Sequence, residues 1–378
     1  MSDQQQEVIP ELPEELTADW LSGAFGETVQ TVEREILGQG QGFLGDIIRL
    51  TLTGAPALPD TLIAKLPKKA NRVMGEMLGV YEREVLFFQE MADRVPVRMP
   101  AIHYSHYDPD AGSAKQKEIL KALDGLPGFF TPAINLLGQK IAGSKGRRYL
   151  ILMEDLAEFS PGDQFEGANP EACARVLEQF APAHRAFWGS EELQERFWLL
   201  PMDIDARMRQ GMYRRVVPLF LKEVDDTLAP YVEWLGEHHA ALTRALSADA
   251  PATLIHCDLR LDNVCFDGER CAYLDWQLTR SGPAAYDVAY FLSSALAASA
   301  DAATEDEILR RYFQALDAPD YPFETFYRDY QRGLVLTLSS LMPTPDIAID
   351  AGRGQEMMAR WRERLAARLA RVDVNTLF

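Results

Sequence analysis

His256-Cys257-Asp258-Leu259-Arg260-Leu261-Asp262-Asn263 is followed, after a short apolar stretch, by Leu274-Asp275-Trp276. An acid, an amide and a second acid in this order suit phosphoryl transfer from a Mg-nucleotide. That chemistry needs a carboxylate to take a hydroxyl proton and two oxygen ligands for a hard cation. Asp258 is the candidate base, while Asn263 and Asp275 are the candidate metal ligands. Any one of them could merely cap a turn. The ordered set is what points to chemistry.

The elements that must position this set are short. Ala252–Ile255 has the look of a strand entering the site, and residues 264–266 and 271–274 look like two more. Asp267-Gly268 between them is a hairpin signal. Folding the chain about residue 269 places Asn263 opposite Asp275, so both emerge at the open end of one hairpin. Asp258 then lies on the incoming loop, facing an acceptor.

A phosphate cradle is expected upstream. Gly38, Gly40 and Gly42 punctuate a turn between two strand-like stretches, and backbone amides there can approach phosphates closely. No Gly-Lys-Ser/Thr and no helix follows, so this is neither a Walker loop nor a dinucleotide fingerprint. Residues 61–66 form a third strand, interrupted by Lys65. The next helix, expected over residues 75–92, places Glu84 inside its apolar arc, with Glu82 and Glu90 outside it. A carboxylate on a buried face needs a partner, and Lys65 is the candidate. The pair would aim an ammonium at nucleotide phosphates.

Residues 99–107 and 148–153 read as further strands, the second ending at Glu154-Asp155-Leu156. That end is the expected hinge between lobes, where the backbone of Glu154 and Leu156 can pair with adenine. Residues 108–147 form an unusually long connection, read as two short helices serving either as a lid or as an extra packing element. Helical spacing dominates the second half, over about 171–188, 203–221, 223–246, 285–299, 304–316, 322–342 and 353–371. His184 reads as a hydrogen-bonded core residue. Asp287, near a helix start, either favours the helix dipole or braces the Asp258 loop through backbone hydrogen bonds. A strand-rich front and a helix-rich back imply an α+β fold of two lobes with a cleft between them: residues 1–154 for the nucleotide, 155–378 for catalysis and substrate.

Composition bounds the rest. With 378 residues, 47% hydrophobic and 25% charged, the chain is long enough for two cores. The net charge of −19 argues against general nucleic-acid binding. It is uneven: residues 1–154 carry net −5 and residues 155–378 net −14. No apolar run approaches the roughly eighteen residues of a membrane span, and the N-terminus reads as no secretory signal. Cys173, Cys257, Cys265 and Cys271 form no CxxC pair and read as small hydrophobes in a reducing cytoplasm.

Over about residues 33–345 the chain resembles the aminoglycoside phosphotransferase and choline kinase group of small-molecule kinases, relatives of protein kinases. It looks most like the CHK-like, or ecdysteroid-kinase-like, branch. The resemblance rests on His256-Cys257-Asp258 with Asn263, on Asp275-Trp276, on residues 283–287 and on residues 180–186. The glycine loop, Lys65 and Glu84 are weaker parts. It implies a protein-kinase-like fold with a small antiparallel-sheet N-lobe and a larger helical C-lobe. ATP and Mg2+ would be the cofactors and a small-molecule hydroxyl the acceptor. Asp258 would be the base, Asn263 and Asp275 the Mg2+ ligands, and Lys65 the phosphate lysine held by Glu84. Cys257 stands where many relatives have glycine. Trp276 replaces the Phe of Asp-Phe-Gly, and the absence of an Ala-Pro-Glu segment argues against a protein kinase.

Overall fold

The computed structural model describes residues 8–37, 44–110, 112–126, 146–318, 320–343 and 353–378. Gly38, Gly40 and Gly42 lie outside the described residues. Those that are described gather into two compact units. One comes from within 1–93, 99–113 and 135–158, the other from within 94–98, 114–134 and 159–378.

The first unit is built on an antiparallel sheet of β1 (Thr31–Leu37), β2 (Gly45–Thr53), β3 (Thr61–Pro67), β4 (Ile102–Tyr107) and β5 (Tyr149–Glu154), in the order β1-β2-β3-β5-β4. Side chains alternate across it. Leu62, Ala64 and Leu66 join Ile48, Leu50, Leu150 and Leu152 in one core, under α1 (Ala18–Phe25). Lys65, between Ala64 and Leu66, takes the opposite face.

Two helices, α2 (Arg72–Leu78) and α3 (Val80–Glu90), replace the single helix expected over 75–92. Gly79 separates them with φ +66°, a left-handed conformation that a helix interior does not accept. The helical wheel also misplaced Glu82. It is buried, with Oε2 accepting from Arg147 Nη1 at 3.1 Å and from Ser113 Oγ at 2.7 Å. Every residue from Val80 to Phe87 is buried, so α3 is covered on more than the one face an amphipathic wheel assumes.

In the second unit α4 (Gln116–Asp124) is a helix within the long connection, of which residues 127–145 lie outside the description. The sequence reading set this helix inside the first lobe, whereas its hydrogen bonds place it here. Asp124 Oδ1 accepts from the N–H groups of Arg207 and Met208, and its Oδ2 meets Arg244 Nη2 at 2.8 Å. The unit continues through α5 (Pro170–Ala186), α6 (Glu192–Glu195), α7 (Ala206–Phe220) and α8 (Ala229–Asp249). Strand β6 (Ser160–Pro161) pairs with a hairpin of β8 (Val264–Asp267) and β9 (Arg270–Tyr273), while β7 (Ala252–Ile255) pairs with β10 (Arg280–Pro283). Then come α9 (Ala284–Ala295), α10 (Ala302–Leu316), α11 (Phe323–Thr337) and α12 (Arg353–Leu369). All twelve residues of α9 are buried. A helix so enclosed is a rigid place from which to hold a loop. A small antiparallel sheet in one unit and a mainly helical second unit make the chain α+β, as expected.

Candidate active site

Strand β7 delivers the chain to His256, and several groups then fix the loop that follows. Asp287, in the first turn of α9, accepts the N–H of His256 at 2.6 Å and that of Cys257 at 2.9 Å. It also meets His184 Nε2 at 3.1 Å, and His184 Nδ1 lies 2.7 Å from the Tyr312 hydroxyl. His184 is therefore a buried, doubly bonded core residue, and Asp287 is the brace for the Asp258 loop. Cys257 has φ +65°. A residue with a Cβ adopts this rarely, and persists in it where its surroundings over-determine it; Asp287 supplies that constraint.

His256 works in the opposite direction. The N–H of Asp258 donates to its Nδ1 at 3.3 Å, so the ring proton sits on Nε2, which donates to the carbonyl of Leu274 at 2.9 Å. Leu274 in turn donates its N–H to the carbonyl of Asn263 at 2.9 Å. One residue before Asp275, the chain is thus gripped by both ends of the 256–263 loop.

The hairpin differs from its expected register by one place. Asp267 pairs with Arg270 and Val264 with Tyr273. Gly268, with φ +58°, takes the first of two central turn positions. Asn263 consequently faces Leu274, not Asp275. Asp275 is the first residue beyond the pairing and adopts φ +61° and ψ +68°, turning the chain into Trp276. Trp276 is buried against Phe180 and His256, with ring centroids 5.8 and 4.8 Å away. Asp275 Oδ2 accepts from Gln277 Nε2 at 3.2 Å.

Asp258 is held on both carboxylate oxygens. Oδ1 receives the Tyr290 hydroxyl at 2.9 Å and lies 3.2 Å from Arg260 Nε; Oδ2 accepts from Asn263 Nδ2 at 3.0 Å. The same Nδ2 donates to the Asp258 carbonyl at 2.8 Å. Both bonds require a donor, so the orientation of the amide is settled by its partners. Its nitrogen is committed to Asp258, and its oxygen is the atom suited to a hard cation. That oxygen and the carboxylate of Asp275 are the kinds of donor that could hold Mg2+, an ion that commonly takes one or two protein ligands and completes its shell with phosphates and water.

Arg260 and Tyr290 were not singled out from the sequence. Burial opposes the charge of Arg260, yet Asp258 and Asp262 beside it hold its ionisation above the ordinary value. Burial, reinforced by Asp258, pushes the Tyr290 phenol well up, so it stays a donor. Arg260 sits between two acids of the motif, a legible signal. Tyr290 falls nearly one helical turn after Asp287, and that spacing puts both on the face of α9 turned to the loop.

In the first unit the structure brings Lys65 and Glu84 together. Lys65 Nζ lies 2.7 Å from Glu84 Oε2 and 2.8 Å from Oε1, with the two side chains 11% and 3% exposed. Tyr81 ties α3 to the start of β2 by donating its hydroxyl to the Leu44 carbonyl at 2.7 Å. Glu154 ends β5. Its N–H donates to the Ala101 carbonyl at 2.8 Å and its Oε2 accepts the Ala101 N–H at 2.9 Å. The N–H of Glu154 is thus engaged within the sheet. Leu156 follows the strand, after Asp155, which pairs with Arg49 at 2.6 Å.

The model of the family described as "Phosphotransferase enzyme family" matches residues 94–327. The match is to the family as a whole and does not single out its CHK-like branch. No curated protein matches the chain by sequence. Among solved structures the fold is similar to that of a Ralstonia eutropha JMP134 protein assigned as an aminoglycoside phosphotransferase. Identity to it is 15% over 93% of this chain and 96% of that one, with a TM-score of 0.50. It is also similar to ADP-bound aminoglycoside phosphotransferase APH(2'')-Ib, with 12% identity, 95% and 99% coverage and a TM-score of 0.50. The GDP complex of aminoglycoside 2'-phosphotransferase-IIIa gives 14% identity, 89% and 93% coverage and a TM-score of 0.50. These likenesses describe a kinase-like fold.

Proposed function

Because the chain belongs to the phosphotransferase enzyme family, we propose that it moves the γ-phosphate of ATP, held with Mg2+, to a hydroxyl group of a small organic molecule. The acceptor is an alcohol of the aminoglycoside, choline or steroid-like kind. The observation that carries this reading is the Asn263–Asp258 contact, which commits the amide nitrogen to Asp258, so that the amide oxygen is the atom for a cation, and which holds the carboxylate that would meet a hydroxyl.

In this reading Asp258 orients the acceptor and takes its proton on a carboxylate oxygen. The acceptor O–H breaks as its bond to phosphorus forms, and the bridging oxygen leaves with ADP. Asn263 Oδ1 and the Asp275 carboxylate hold the ion. Mg2+, when bound, offsets the charge that develops on the phosphate oxygens. Lys65, aimed by Glu84, takes phosphate oxygens, and the loop carrying Gly38, Gly40 and Gly42 gives backbone amides to them. The carbonyl of Glu154 and the backbone of Leu156 bind the nucleobase. Most of the rate then comes from positioning and fixed electrostatics. All four cysteines are unbridged, which suits work in a reducing cytoplasm. No helix among the described residues is long and apolar enough to cross a membrane.

The test is a release assay for ADP or GDP with Mg·ATP or Mg·GTP, run over a panel of hydroxyl compounds. One or more compounds should raise release strongly in the unaltered chain and not in Asp258→Ala. No stimulation by any compound, with no thermal shift on adding either Mg-nucleotide, would overturn the reading.

A further inference from the structure

Helix α12 starts well beyond residue 327, where the family match ends. It nevertheless reaches the Asp258 loop through two relays within its own unit. In the first, the Trp361 ring stands edge-on to that of Tyr290, with centroids 5.1 Å apart, and its Nε1 donates to Ser293 Oγ at 3.2 Å. Tyr290 then donates to Asp258 Oδ1.

The second relay starts at Arg364. Its hydrogen bonds all go to backbone carbonyls: Nη1 to Gln164 at 2.7 Å and Ser294 at 2.6 Å, and Nη2 to Phe165 at 2.9 Å. Arg360 lies over the Phe165 ring at 4.2 Å. Gln164 carries the restraint onward. Its N–H donates to Asp262 Oδ1 at 2.9 Å, its Oε1 accepts the Leu261 N–H at 3.0 Å, and its Nε2 donates to the Ser294 carbonyl at 2.9 Å. A Cβ on Gly167, at φ +78°, would fall 2.6 Å from Arg364 Nη2, so only glycine leaves room for the guanidinium.

A buried guanidinium satisfied by neutral carbonyls is a costly way to fill space. It is an effective way to fix three backbone positions at once, because the planar fork is already organised. Here those positions join the 163–165 turn to the C-terminal end of α9, and Gln164 joins the turn to the loop that ends in Asn263.

We infer that α12 is a brace for the catalytic loop. Tyr290, Trp361 and Arg364 are positioning residues that set the Asp258 carboxylate and the Asn263 amide. The loop's catalytic role rests on the function proposed above; the brace itself is a statement about the loop's mobility and is tested separately.

The full chain is compared with Arg364→Met, Arg364→Lys and Tyr290→Phe. Hydrogen exchange is followed at residues 256–263, with α10 as a control for global unfolding. Steady-state Mg·ATP hydrolysis is measured without acceptor. Arg364→Met should speed exchange in the loop and leave α10 unchanged. It should lower kcat about tenfold or more while KM for ATP stays within about twofold. Arg364→Lys should restore part of both. Tyr290→Phe should lower kcat without speeding loop exchange, since it removes one hydroxyl from the carboxylate and nothing from the backbone. Loop exchange unchanged in Arg364→Met, or raised equally in α10, would overturn the brace. Loosened exchange in a chain that hydrolyses no Mg·ATP would uphold the brace and count against phosphotransfer.

Discussion

Asp287 Oδ1 accepts the N–H of Cys257 at 2.9 Å, and Cys257 is one of four non-glycine residues among those described with positive φ. The carboxylate thus holds a strained residue next to Asp258, and its second oxygen does the same for His256. Asp287→Ala strands the N–H groups of His256 and Cys257 and removes one partner of His184. We expect it to lower stability by about 3 kcal/mol or more and to reduce turnover beyond what the loss of folded protein explains. Urea unfolding alongside rates normalised to folded enzyme checks both. Wild-type stability would show that Asp287 is no brace.

Asp258→Ala should lower turnover on the true acceptor by roughly 10²–10⁴ and leave nucleotide affinity nearly intact. Its carboxylate is asked to meet the hydroxyl, not the nucleotide. Single-turnover kinetics with calorimetric titration of Mg·ADP separate the two. Equal losses of affinity and rate would remove Asp258 from the role of base.

Asp275→Ala should abolish the Mg2+-dependent part of nucleotide binding, because Asn263 alone offers one neutral oxygen. Titrations with and without Mg2+ report this directly. A variant that keeps the full metal-dependent gain in affinity would place the ion elsewhere.

The buried Lys65–Glu84 pair is expected to serve function more than stability. Lys65→Met removes the cation paired with Glu84 and should destabilise by about 3 kcal/mol. Lys65→Met with Glu84→Leu should recover most of that loss yet bind Mg·ATP at least tenfold more weakly, roughly the value of one charge-assisted contact. Thermal melts and titrations of the double variant decide. A double variant with wild-type nucleotide affinity would make the pair structural.

Acid sensitivity is expected at His239. Burial lowers its ionisation to about 3 from an ordinary 6.5, with Arg209 adding to the effect. In this window the unfolded chain binds the proton and the folded chain does not. The associated stability is present above about pH 6.5 and is lost as pH falls toward 3. His239→Gln should therefore lose less stability than the unaltered chain between pH 6.5 and 4 in denaturant unfolding. Parallel losses would assign the acid sensitivity to other groups.

Much of the site was legible because its signals are local in sequence. Asp258, Asn263 and Asp275 lie within eighteen residues on one loop and one hairpin. The Lys65–Glu84 pair followed from a charge on a strand and a charge on an apolar helical arc, since each demands a partner. Asp287 showed itself by its place at a helix start. The hairpin register slipped by one because Asp-Gly allows more than one turn, and the turn's backbone decides which. Glu82 was set on the wrong face because a helical wheel assumes one buried side, whereas Arg147 and Ser113 come from chain segments far from α3 to bury another.

The amino-acid sequence by itself determined the candidate chemistry at the loop, the α+β class and the approximate span of most helices, because residue type, periodicity and turn chemistry act over a few residues. Only the tertiary structure decided what holds that chemistry still. It set Tyr290 and Arg260 on Asp258, Gln164 under Leu261, Arg364 on three carbonyls, and α4 among the helices of the second unit. Those contacts join residues up to two hundred positions apart. Their partners are chosen by packing and by the need to satisfy buried polar groups, which no local pattern records.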